Sequence, residues 1–418
     1  MITEQTAALR SALEGTGAPV EFTLDDAHTT GGVLFRPEAR DAARCGHPDA
    51  VAVVRTSGST GTPKQTVLTG AGLRASAGAT ATRIGAPEQG TQWLLAVGTQ
   101  YVAGLAVVSR SILAGTDPVV LAPGTFTANK FTAAARELRA RAGTTGFTAV
   151  SLVPTQLTRL LDDGPGSPTV AALADLDAIL VGGARLPDSA RQRSAEADLN
   201  LHLTYGMAET CGGCVYDGVP LDGVFADLVT EPDNPDITRL RLAGPMVAAG
   251  YLDDPERTAA HFSAGPQGRR FLTEDTGVVS LEDSPAAGIR TLRQRLQVTG
   301  RVDDVINTGG VKVSAAHVQR VLEESPEVRD AFVTGIPDDQ WGQLVCAVLV
   351  LADPTSTPDA GPTTELESRL AARLRTELGR AAVPKKWGYR ESLPLLANGK
   401  TDRQALRREL ENRTDEDS

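Results

Sequence analysis

The sequence has few aromatic residues, few cysteines and no long apolar run, and each shortage excludes a class of protein. Aromatic residues make up 4% of the 418 residues, and four cysteines are too few for a disulfide scaffold at this length. No apolar run approaches the roughly 20 residues that a membrane-spanning helix needs. The N-terminal stretch has neither the basic flank nor the apolar core of a signal peptide. We therefore expect a cytoplasmic protein with no membrane span.

Positive charge is also scarce. The net charge is −11 and the isoelectric point is about 5.1, which argues against binding to nucleic acid or to an anionic membrane. Hydrophobic residues make up 41% of the chain, enough for a core, and its length indicates two or three domains.

Two of the cysteines, Cys211 and Cys214, have the spacing C-x-x-C. A zinc site would need a second pair or nearby histidines, which the sequence does not show. A redox pair is the other functional interpretation. The sequence favours a third interpretation, in which both cysteines belong to a glycine-rich loop beside a functional site.

Strand-like and helix-like segments alternate between residue 51 and about residue 205, which predicts an α/β fold with parallel β-α units. The predicted strands are 51–55, 93–97, 118–121, 147–152, 178–181 and 201–204. The predicted helices are 70–82, 127–141 and 187–197. Ligands of such sheets bind at the carboxyl ends of the strands.

The composition and the pattern of predicted elements change twice further along the chain, at about residues 219 and 300. Residues 1–300 are predicted as a large N-terminal domain of mostly parallel αβα sheets, with a β-rich subdomain at about 219–299. Residues 301–418 are predicted as a small, mobile α+β C-terminal domain. Asp303, at this border, is a candidate hinge residue because hinges absorb large backbone changes.

Residues 56–64 follow a predicted strand and combine glycines, hydroxyls and one lysine. The candidate phosphate-binding side chains are Thr56, Ser57, Ser59, Thr60, Thr62 and Lys64. Phosphate oxygens accept several convergent N–H and O–H donors, so this loop suits a polyphosphate. It is not a Walker A loop, because Pro63 precedes the lysine and Gln65 follows it.

Two carboxylates lie near predicted strands. Tyr205 and Glu209 come after the strand 201–204, where a tyrosine can stack on a purine and a glutamate can hold Mg²⁺ that bridges phosphates. Asp275 precedes a strand and could accept both hydroxyls of a ribose. Taken alone, each of these has a structural interpretation as well, such as an Asx turn at Asp275.

Two further motifs lie after residue 300, in the predicted C-terminal domain. Arg301 could pair with a phosphate or a ribose, and Gly309 and Gly310 permit close backbone approach. Lys400 lies on a glycine turn near the end of the chain, from which a lysine can reach a cleft.

The order of these motifs resembles that of the adenylate-forming superfamily of acyl- and aryl-CoA synthetases, adenylation domains and luciferases. The resemblance runs from about residue 50 to residue 407. Residues 204–224 are especially similar to the o-succinylbenzoate–CoA ligases that actinobacteria use in menaquinone biosynthesis, as is the stretch from Tyr101 to Arg110. Gln65 departs from the pattern, since members often carry glycine there, and Tyr101 stands where many have histidine.

The resemblance implies a two-step reaction. ATP converts a carboxylate to an acyl-adenylate with release of pyrophosphate, and the thiol of coenzyme A then gives a thioester and AMP. It implies that residues 56–64 hold the β- and γ-phosphates, that Tyr205 lies against adenine and that Glu209 helps to hold Mg²⁺. By the same resemblance, Asp275 binds the ribose and Arg301 supports ribose or phosphate.

The resemblance implies further roles for residues of both predicted domains. Thr204 and Thr210 would lie near the α-phosphate or the acyl carboxylate, which Lys400 would also reach. Asp303 matches the hinge of the family. The loop 307–313, with candidate residues Gly309, Gly310 and Lys312, would face the coenzyme A side.

The acyl pocket would be lined, by similarity, by Tyr101, Thr204, the segment 181–184 with Gly182 and Gly183, and the segment 206–215, which begins with Gly206. The small-molecule partner expected from the resemblance is o-succinylbenzoate, whose second carboxylate needs a cation or several donors. Arg74 and Arg110 are candidates by charge alone.

Two alternatives stay open. One is a stand-alone enzyme that adenylates another aryl or acyl acid and loads a carrier protein or coenzyme A. The other is a non-catalytic nucleotide-binding protein, against which the presence of Glu209 and Lys400 counts. A homodimer is expected by analogy only.

Overall fold

A computed structural model of the chain describes residues 2–23, 33–56, 64–231, 234–286, 289–353, 364–395 and 401–416. The chain forms two compact units. The first comprises Met1–Val229, Leu240–Thr273 and Val279–Leu296, and the second Thr230–Arg239, Glu274–Val278 and Gln297–Ser418. The domain boundary expected at residue 300 stays a prediction.

The elements of the described residues are as follows. The helices are α1 (Ile2–Leu13), α2 (Gly70–Ile84), α3 (Val102–Leu113), α4 (Ala128–Ala142), α5 (Pro154–Leu161), α6 (Pro168–Ala174), α7 (Asp188–Glu196), α8 (Pro255–His261), α9 (Ala315–Glu323), α10 (Thr364–Leu378) and α11 (Arg403–Glu416). The strands are β1 (Val20–Thr23), β2 (Arg36–Ala39), β3 (Ala50–Thr56), β4 (Lys64–Thr69), β5 (Gln92–Leu95), β6 (Val119–Val120), β7 (Thr148–Leu152), β8 (Ala178–Gly182), β9 (Leu201–Met207), β10 (Gly212–Tyr216), β11 (Val219–Pro220), β12 (Phe225–Glu231), β13 (Asn234–Ala243), β14 (Gly250–Tyr251), β15 (Phe262–Gly265), β16 (Gly268–Leu272), β17 (Asp275–Ala286), β18 (Ile289–Arg301), β19 (Val305–Thr308), β20 (Val311–Ser314), β21 (Val328–Asp338), β22 (Gly342–Leu351) and β23 (Lys386–Arg390).

The first unit contains the parallel sheet that the sequence predicts. Its strand order is β11-β10-β9-β8-β7-β5-β6, and the strands from β9 to β6 run parallel. Every residue of β7 is buried, as is usual for a strand whose sheet is covered on both faces. The mixed α/β architecture is therefore confirmed, and β9 extends three residues beyond its predicted end, to Met207.

A second sheet in this unit has the order β14-β4-β3-β1-β2. The pairing of β1 with β3 is parallel, but β3 and β4 form an antiparallel hairpin. The sequence predicts β3 but not β4, because a short strand directly after a glycine-rich loop carries little periodic signal. The predicted phosphate loop thus connects two paired strands, not a strand and a helix.

Most of the β-rich region predicted at about 219–299 forms a four-stranded sheet and a long two-stranded ribbon. The sheet has the order β12-β13-β16-β15, and the ribbon is formed by β17 and β18. Asp275 and Arg301 lie at the outer ends of the two ribbon strands.

The second unit has an α+β core. Its sheet has the order β20-β19-β22-β21, and β23 pairs in parallel with β22. Side chains alternate between the two faces of β21 and β22. One face packs with α9 and α10, and the other packs with α11. In the parts of the chain that are described, every helix falls short of the length and apolarity that a bilayer crossing requires.

Candidate functional site

The ends of the predicted phosphate loop are held by the hairpin of β3 and β4. Thr56 and Lys64 face each other as its last residue pair. The other predicted phosphate ligands, Ser57, Ser59, Thr60 and Thr62, lie outside the described residues. The structure therefore defines where the loop begins and ends.

Lys64 is connected to Glu209 through an aromatic ring. Its Nζ lies 5.6 Å from the ring centroid of Tyr251, a distance at which a cation is attracted to the ring face. The Tyr251 hydroxyl donates a 2.8 Å hydrogen bond to Glu209 Oε1. The pairing of β14 with β4 brings the tyrosine here, since Tyr251 faces Thr66. No motif in the sequence points to Tyr251.

Glu209 is a buried carboxylate, 7% exposed, on the short turn Ala208–Thr210 after β9. Its backbone carbonyl accepts from Ala248 N, and Tyr251 orients its side chain. A single oriented carboxylate fits Mg²⁺, which takes its other ligands from phosphate oxygens and water. Among the described residues, no cluster of three or more His, Cys, Asp or Glu side chains forms a metal site by itself.

Thr210 holds this turn in place. Its hydroxyl is fully buried, accepts from Met207 N at 3.0 Å and lies 2.8 Å from the carbonyl oxygen of Gly212. These bonds fix the connection from β9 to β10, and with it the direction of Glu209. The predicted contact of Thr210 with an acyl carboxylate or α-phosphate stays a prediction.

Two predicted pocket glycines are required by close backbone packing. A Cβ on Gly182 would lie 2.3 Å from Thr204 Oγ1, and a Cβ on Gly206 would lie 2.1 Å from the carbonyl oxygen of Gly212. Both clashes would force neighbouring strands apart. Gly183 has φ +88°, a value that favours glycine. Tyr205 directly precedes Gly206 in β9 and is half-buried.

Tyr101 caps the N-terminus of α3 through its backbone, without a side-chain bond to the helix. Burial raises the pKa of its phenol, and a hydrogen bond with the Gln100 side chain opposes that shift. A Cβ on Gly104 would lie 2.2 Å from the carbonyl oxygen of Gly98, so the first turn of α3 packs directly on the preceding loop. The tyrosine is thereby held at the start of the helix.

Arg110 is a buried arginine near the other end of α3, and it is 6% exposed. Its Nη2 lies 3.2 Å from Thr80 Oγ1 and 3.4 Å from the Tyr216 hydroxyl, and its Cζ lies 5.3 Å from the ring centroid of Trp93. Its Nε is buried and has no hydrogen-bond partner in the described part of the chain. Among the described residues it forms no ion pair, although a buried charge is costly unless it is paired.

The surroundings of the two candidate arginines differ. Arg110 Nη2 would lie 3.9 Å from a Cβ on Gly212, so the guanidinium lies against the glycine-rich segment 206–215. The Arg74 guanidinium instead donates to the backbone carbonyl of Leu13, in α1. Of these two, Arg110 is therefore the one that lies beside the predicted pocket segment.

In the second unit, Arg301 joins two predicted functional carboxylates. It forms a bidentate pair with Asp303, at 2.7 and 2.9 Å, and donates to Asp275 Oδ1 at 3.1 Å. Burial lowers the pKa of Arg301, but the hydrogen bond with Asp303 and the charges of Asp275 and Asp303 outweigh it and raise the pKa above its ordinary value. Arg301 thus orients Asp275 and restrains the predicted hinge residue.

The predicted coenzyme A loop is a tight hairpin turn between β19 and β20. Gly309 and Gly310 have φ values of +58° and +79°, as a two-residue turn of the I′ type requires. Gly309 N donates to the carbonyl oxygen of Trp341, whose ring would lie 2.8 Å from a Cβ on Gly309. Lys312 is exposed on β20.

Lys400 lies outside the described residues, but its neighbours are defined. Leu395 and Thr401 form an isolated β-bridge. Arg403, at the start of α11, forms a bidentate pair with Asp304 at 2.6 and 2.8 Å. The chain on both sides of the predicted catalytic lysine is therefore anchored within the second unit.

Cys211 ends the short turn after β9, Cys214 lies in β10, and both are buried. Burial raises the pKa of both thiols to about 12. Such thiols are almost entirely protonated near neutral pH and react slowly. The structure favours the interpretation of this segment as a packed, glycine-rich turn.

Two family descriptions match the chain. Residues 3–252 match "AMP-binding enzyme", and residues 317–400 match "AMP-binding enzyme C-terminal domain". A protein of Mycobacterium tuberculosis named "Probable 2-succinylbenzoate--CoA ligase" is 38% identical over 369 residues, which cover 88% of this chain and 86% of the relative.

Solved structures show the same architecture. The o-succinylbenzoate CoA synthetase of Bacillus subtilis, in complex with its acyl-adenylate intermediate, matches with a TM-score of 0.64 and 25% identity, covering 85% of this chain and 69% of that one. The same enzyme with ATP and a magnesium ion matches with a TM-score of 0.64 and 26% identity, covering 87% and 70%.

Proposed function

Because this chain belongs to the AMP-binding enzyme family, we propose that it is a 2-succinylbenzoate–CoA ligase of menaquinone biosynthesis. It activates its acid with ATP, releases pyrophosphate, and transfers the acyl group to coenzyme A with release of AMP. The two relatives from Mycobacterium tuberculosis and Bacillus subtilis are named for this activity, and the similarity spans most of both chains.

One observation carries the choice of acid, the burial of Arg110 without an ionic partner in the described residues. An acid with a single carboxylate would leave this guanidinium uncompensated. 2-Succinylbenzoate has a second carboxylate, which is not activated and can pair with it. Arg110 also lies against Gly212 of the predicted pocket segment.

The first unit supplies the groups that bind the phosphates. Lys64 and the loop before it would hold the β- and γ-phosphates, and Tyr205 would stack on adenine. Glu209, oriented by Tyr251, would hold Mg²⁺. When bound, Mg²⁺ neutralises charge on the phosphate oxygens and so favours attack on the α-phosphorus.

The second unit supplies ribose and acyl contacts. Asp275, oriented by Arg301, would accept the ribose hydroxyls. Lys400 would stabilise the negative charge that develops at the α-phosphate and the acid during adenylation. We expect Lys400→Ala to lose adenylation far more than thioester formation from preformed adenylate. Equal loss in both half-reactions would remove this role from Lys400.

The test of the proposal is a panel of acids. Pyrophosphate release is measured with MgATP and 2-succinylbenzoate, benzoate, salicylate or a medium-chain fatty acid, with and without coenzyme A. The proposal predicts turnover with 2-succinylbenzoate and formation of its coenzyme A thioester. Turnover with another acid only would retain the adenylation chemistry and overturn the substrate. Product formation only on a carrier protein would favour the stand-alone adenylating enzyme.

Two further expectations, the cellular location and the oligomeric state, belong to this proposal. ATP and coenzyme A are substrates found in the cytoplasm, where we place the enzyme. The homodimer expected by analogy remains a prediction, which sedimentation of the purified protein tests.

A further inference from the structure

A buried carboxylate lies beside the hairpin that closes the phosphate loop. Glu21, in β1, is 1% exposed, and three side chains donate to it. Arg40 Nε and Nη2 lie 2.7 and 2.6 Å from Oε2, Arg55 Nε lies 3.1 Å from Oε1, and Gln65 Nε2 lies 3.1 Å from Oε2. A buried carboxylate needs such partners, because its charge is otherwise strongly disfavoured.

Two of these partners occupy matching positions on the two strands of the hairpin. Arg55 and Gln65 face each other in the register of β3 and β4, directly behind the last pair, Thr56 and Lys64. One carboxylate on a third strand therefore holds both strands at the point from which they lead to the predicted ATP-binding residues. The third partner, Arg40, follows β2 and lies on neither strand of the hairpin.

Gln65 is the residue at which this chain departs from the usual glycine of the family motif. Glycine has no side chain to reach Glu21, so this contact depends on the substitution found here. The backbone carbonyl of Gln65 also accepts from Leu252 N, next to Tyr251, whose ring lies by Lys64. Gln65 thus joins Glu21 to the strand that carries Tyr251.

We propose that Glu21 is a positioning residue for ATP binding, which acts through Arg55 and Gln65 to hold Thr56 and Lys64 in the geometry that receives the phosphates. This inference rests on the proposed function and deepens it. Holding binding residues in place before the ligand arrives reduces the ordering cost of binding. Glu21 itself makes no contact with substrate in this role.

The first test changes Gln65, which is half-buried, so that the fold is not at risk. Gln65→Met keeps the length of the side chain and removes the donor. We expect the dissociation constant of MgATP, measured by equilibrium dialysis without any acid, to rise about tenfold, in line with the loss of one bond to a charged group. The KM for the acid and the melting temperature should change little.

A matched control is Gln294→Met in β18, which removes the side-chain bonds of Gln294 to the backbone of Ala226 in the same unit. We expect it to leave MgATP binding unchanged. If both variants weaken MgATP binding equally, or if neither does while the wild-type protein binds it, Glu21 has no positioning role.

A double-mutant cycle combines Gln65→Met with Glu21→Gln. It distinguishes an effect of the contact between these two side chains on MgATP binding from an effect of general stability. If the two residues act together, Gln65→Met should weaken MgATP binding much less in the Glu21→Gln background than in the wild type. If the changes in the free energy of MgATP binding in the two single variants simply add up in the double variant, the inference is wrong. A wild-type protein that does not bind MgATP would instead contradict the proposed function, so the two failures are distinguishable. If Glu21→Gln does not fold, Gln65→Met against Gln294→Met still decides the matter.

Discussion

At the scale of single residues, the hydrogen bond from Tyr251 to Glu209 is the contact that most directly supports a metal role for Glu209. Tyr251→Phe removes the donor and leaves the ring beside Lys64. A hydrogen bond to a charged group contributes about 1.5–3 kcal/mol, so we expect the Mg²⁺ concentration for half-maximal pyrophosphate release to rise about tenfold or more.

The control for this prediction is a bond of the same kind elsewhere. The Tyr389 hydroxyl donates to Glu367 Oε1, also at 2.8 Å, in the second unit. Tyr389→Phe should leave the Mg²⁺ dependence unchanged. An unchanged Mg²⁺ dependence in Tyr251→Phe would show that this bond does not orient a metal ligand.

Arg110 gives a second prediction at this scale, which compares two acids. Arg110→Gln keeps a polar side chain and removes the charge. Loss of one member of a buried charge pair costs about 2–5 kcal/mol, so kcat/KM for 2-succinylbenzoate should fall about 30-fold or more. The analogue 4-oxo-4-phenylbutanoate, which lacks the ring carboxylate, should be used almost equally by both enzymes. Equal losses for the two acids would contradict the role of Arg110 in recognition.

At the scale of elements, the turn between β19 and β20 is predicted to serve only the second half-reaction, the transfer to coenzyme A. Gly309→Ala adds a Cβ at a φ of +58° and 2.8 Å from the Trp341 ring, a strain of about 1–2 kcal/mol from the backbone alone. We expect thioester formation from preformed adenylate to slow roughly tenfold and adenylation to change little.

Gly379→Ala is the matched control for this turn, because Gly379 also has a positive φ, +91°, but a Cβ there meets no atom within 4 Å. It should leave both half-reactions unchanged. If Gly309→Ala slows adenylation as much as thioester formation, this turn does not belong to the second step alone.

Strand β21 supplies a prediction about pH. Burial, followed by the charge of Glu323, raises the pKa of Asp330 to about 7, although Arg329 opposes the shift. The folded state therefore binds this proton more tightly than the unfolded state. The corresponding stability is complete below the ordinary pKa of about 3.9 and is lost as the pH rises through about 7.

Asp330→Asn is neutral at every pH and avoids this loss. The melting temperature of the variant minus that of the wild type should increase between about pH 4 and pH 7 and remain level above, by about 2 °C or more. Glu323→Gln should move the transition in the wild-type background to lower pH. A difference in melting temperature that is the same at all these pH values would contradict the burial of an ionisable Asp330.

At the scale of the whole molecule, the elements with a clear period are those that the sequence predicts well. The helix predicted at 127–141 is α4, displaced by one residue, and the buried strand 147–152 is β7. Helix α3 does not stand out, because nine of its residues, 104–112, are buried in succession and it lacks an exposed polar face. Its adjacent pair of valines, Val107 and Val108, is typical of a strand in composition.

The residues of the candidate site likewise differ in whether a local sequence motif identifies them. Glu209, Asp275 and Arg301 belong to local motifs, so the sequence identifies them as candidates. Tyr251 and Glu21 act through pairings between strands that lie far apart in the sequence, and no local pattern records such contacts. Arg110 is visible only as a charge until its burial among neutral side chains is known.

The central claim is that the acid is activated as an adenylate and then transferred to coenzyme A. The most direct measurement uses 2-succinylbenzoate labelled with ¹⁸O in both carboxylates, together with MgATP and coenzyme A, and mass spectrometry of the nucleotide product. In this route a carboxylate oxygen attacks the α-phosphorus and leaves with AMP when the thiol attacks the acyl carbon. The account predicts AMP that carries one ¹⁸O and an equal amount of coenzyme A thioester. Unlabelled AMP, or ADP and phosphate as products, would contradict it.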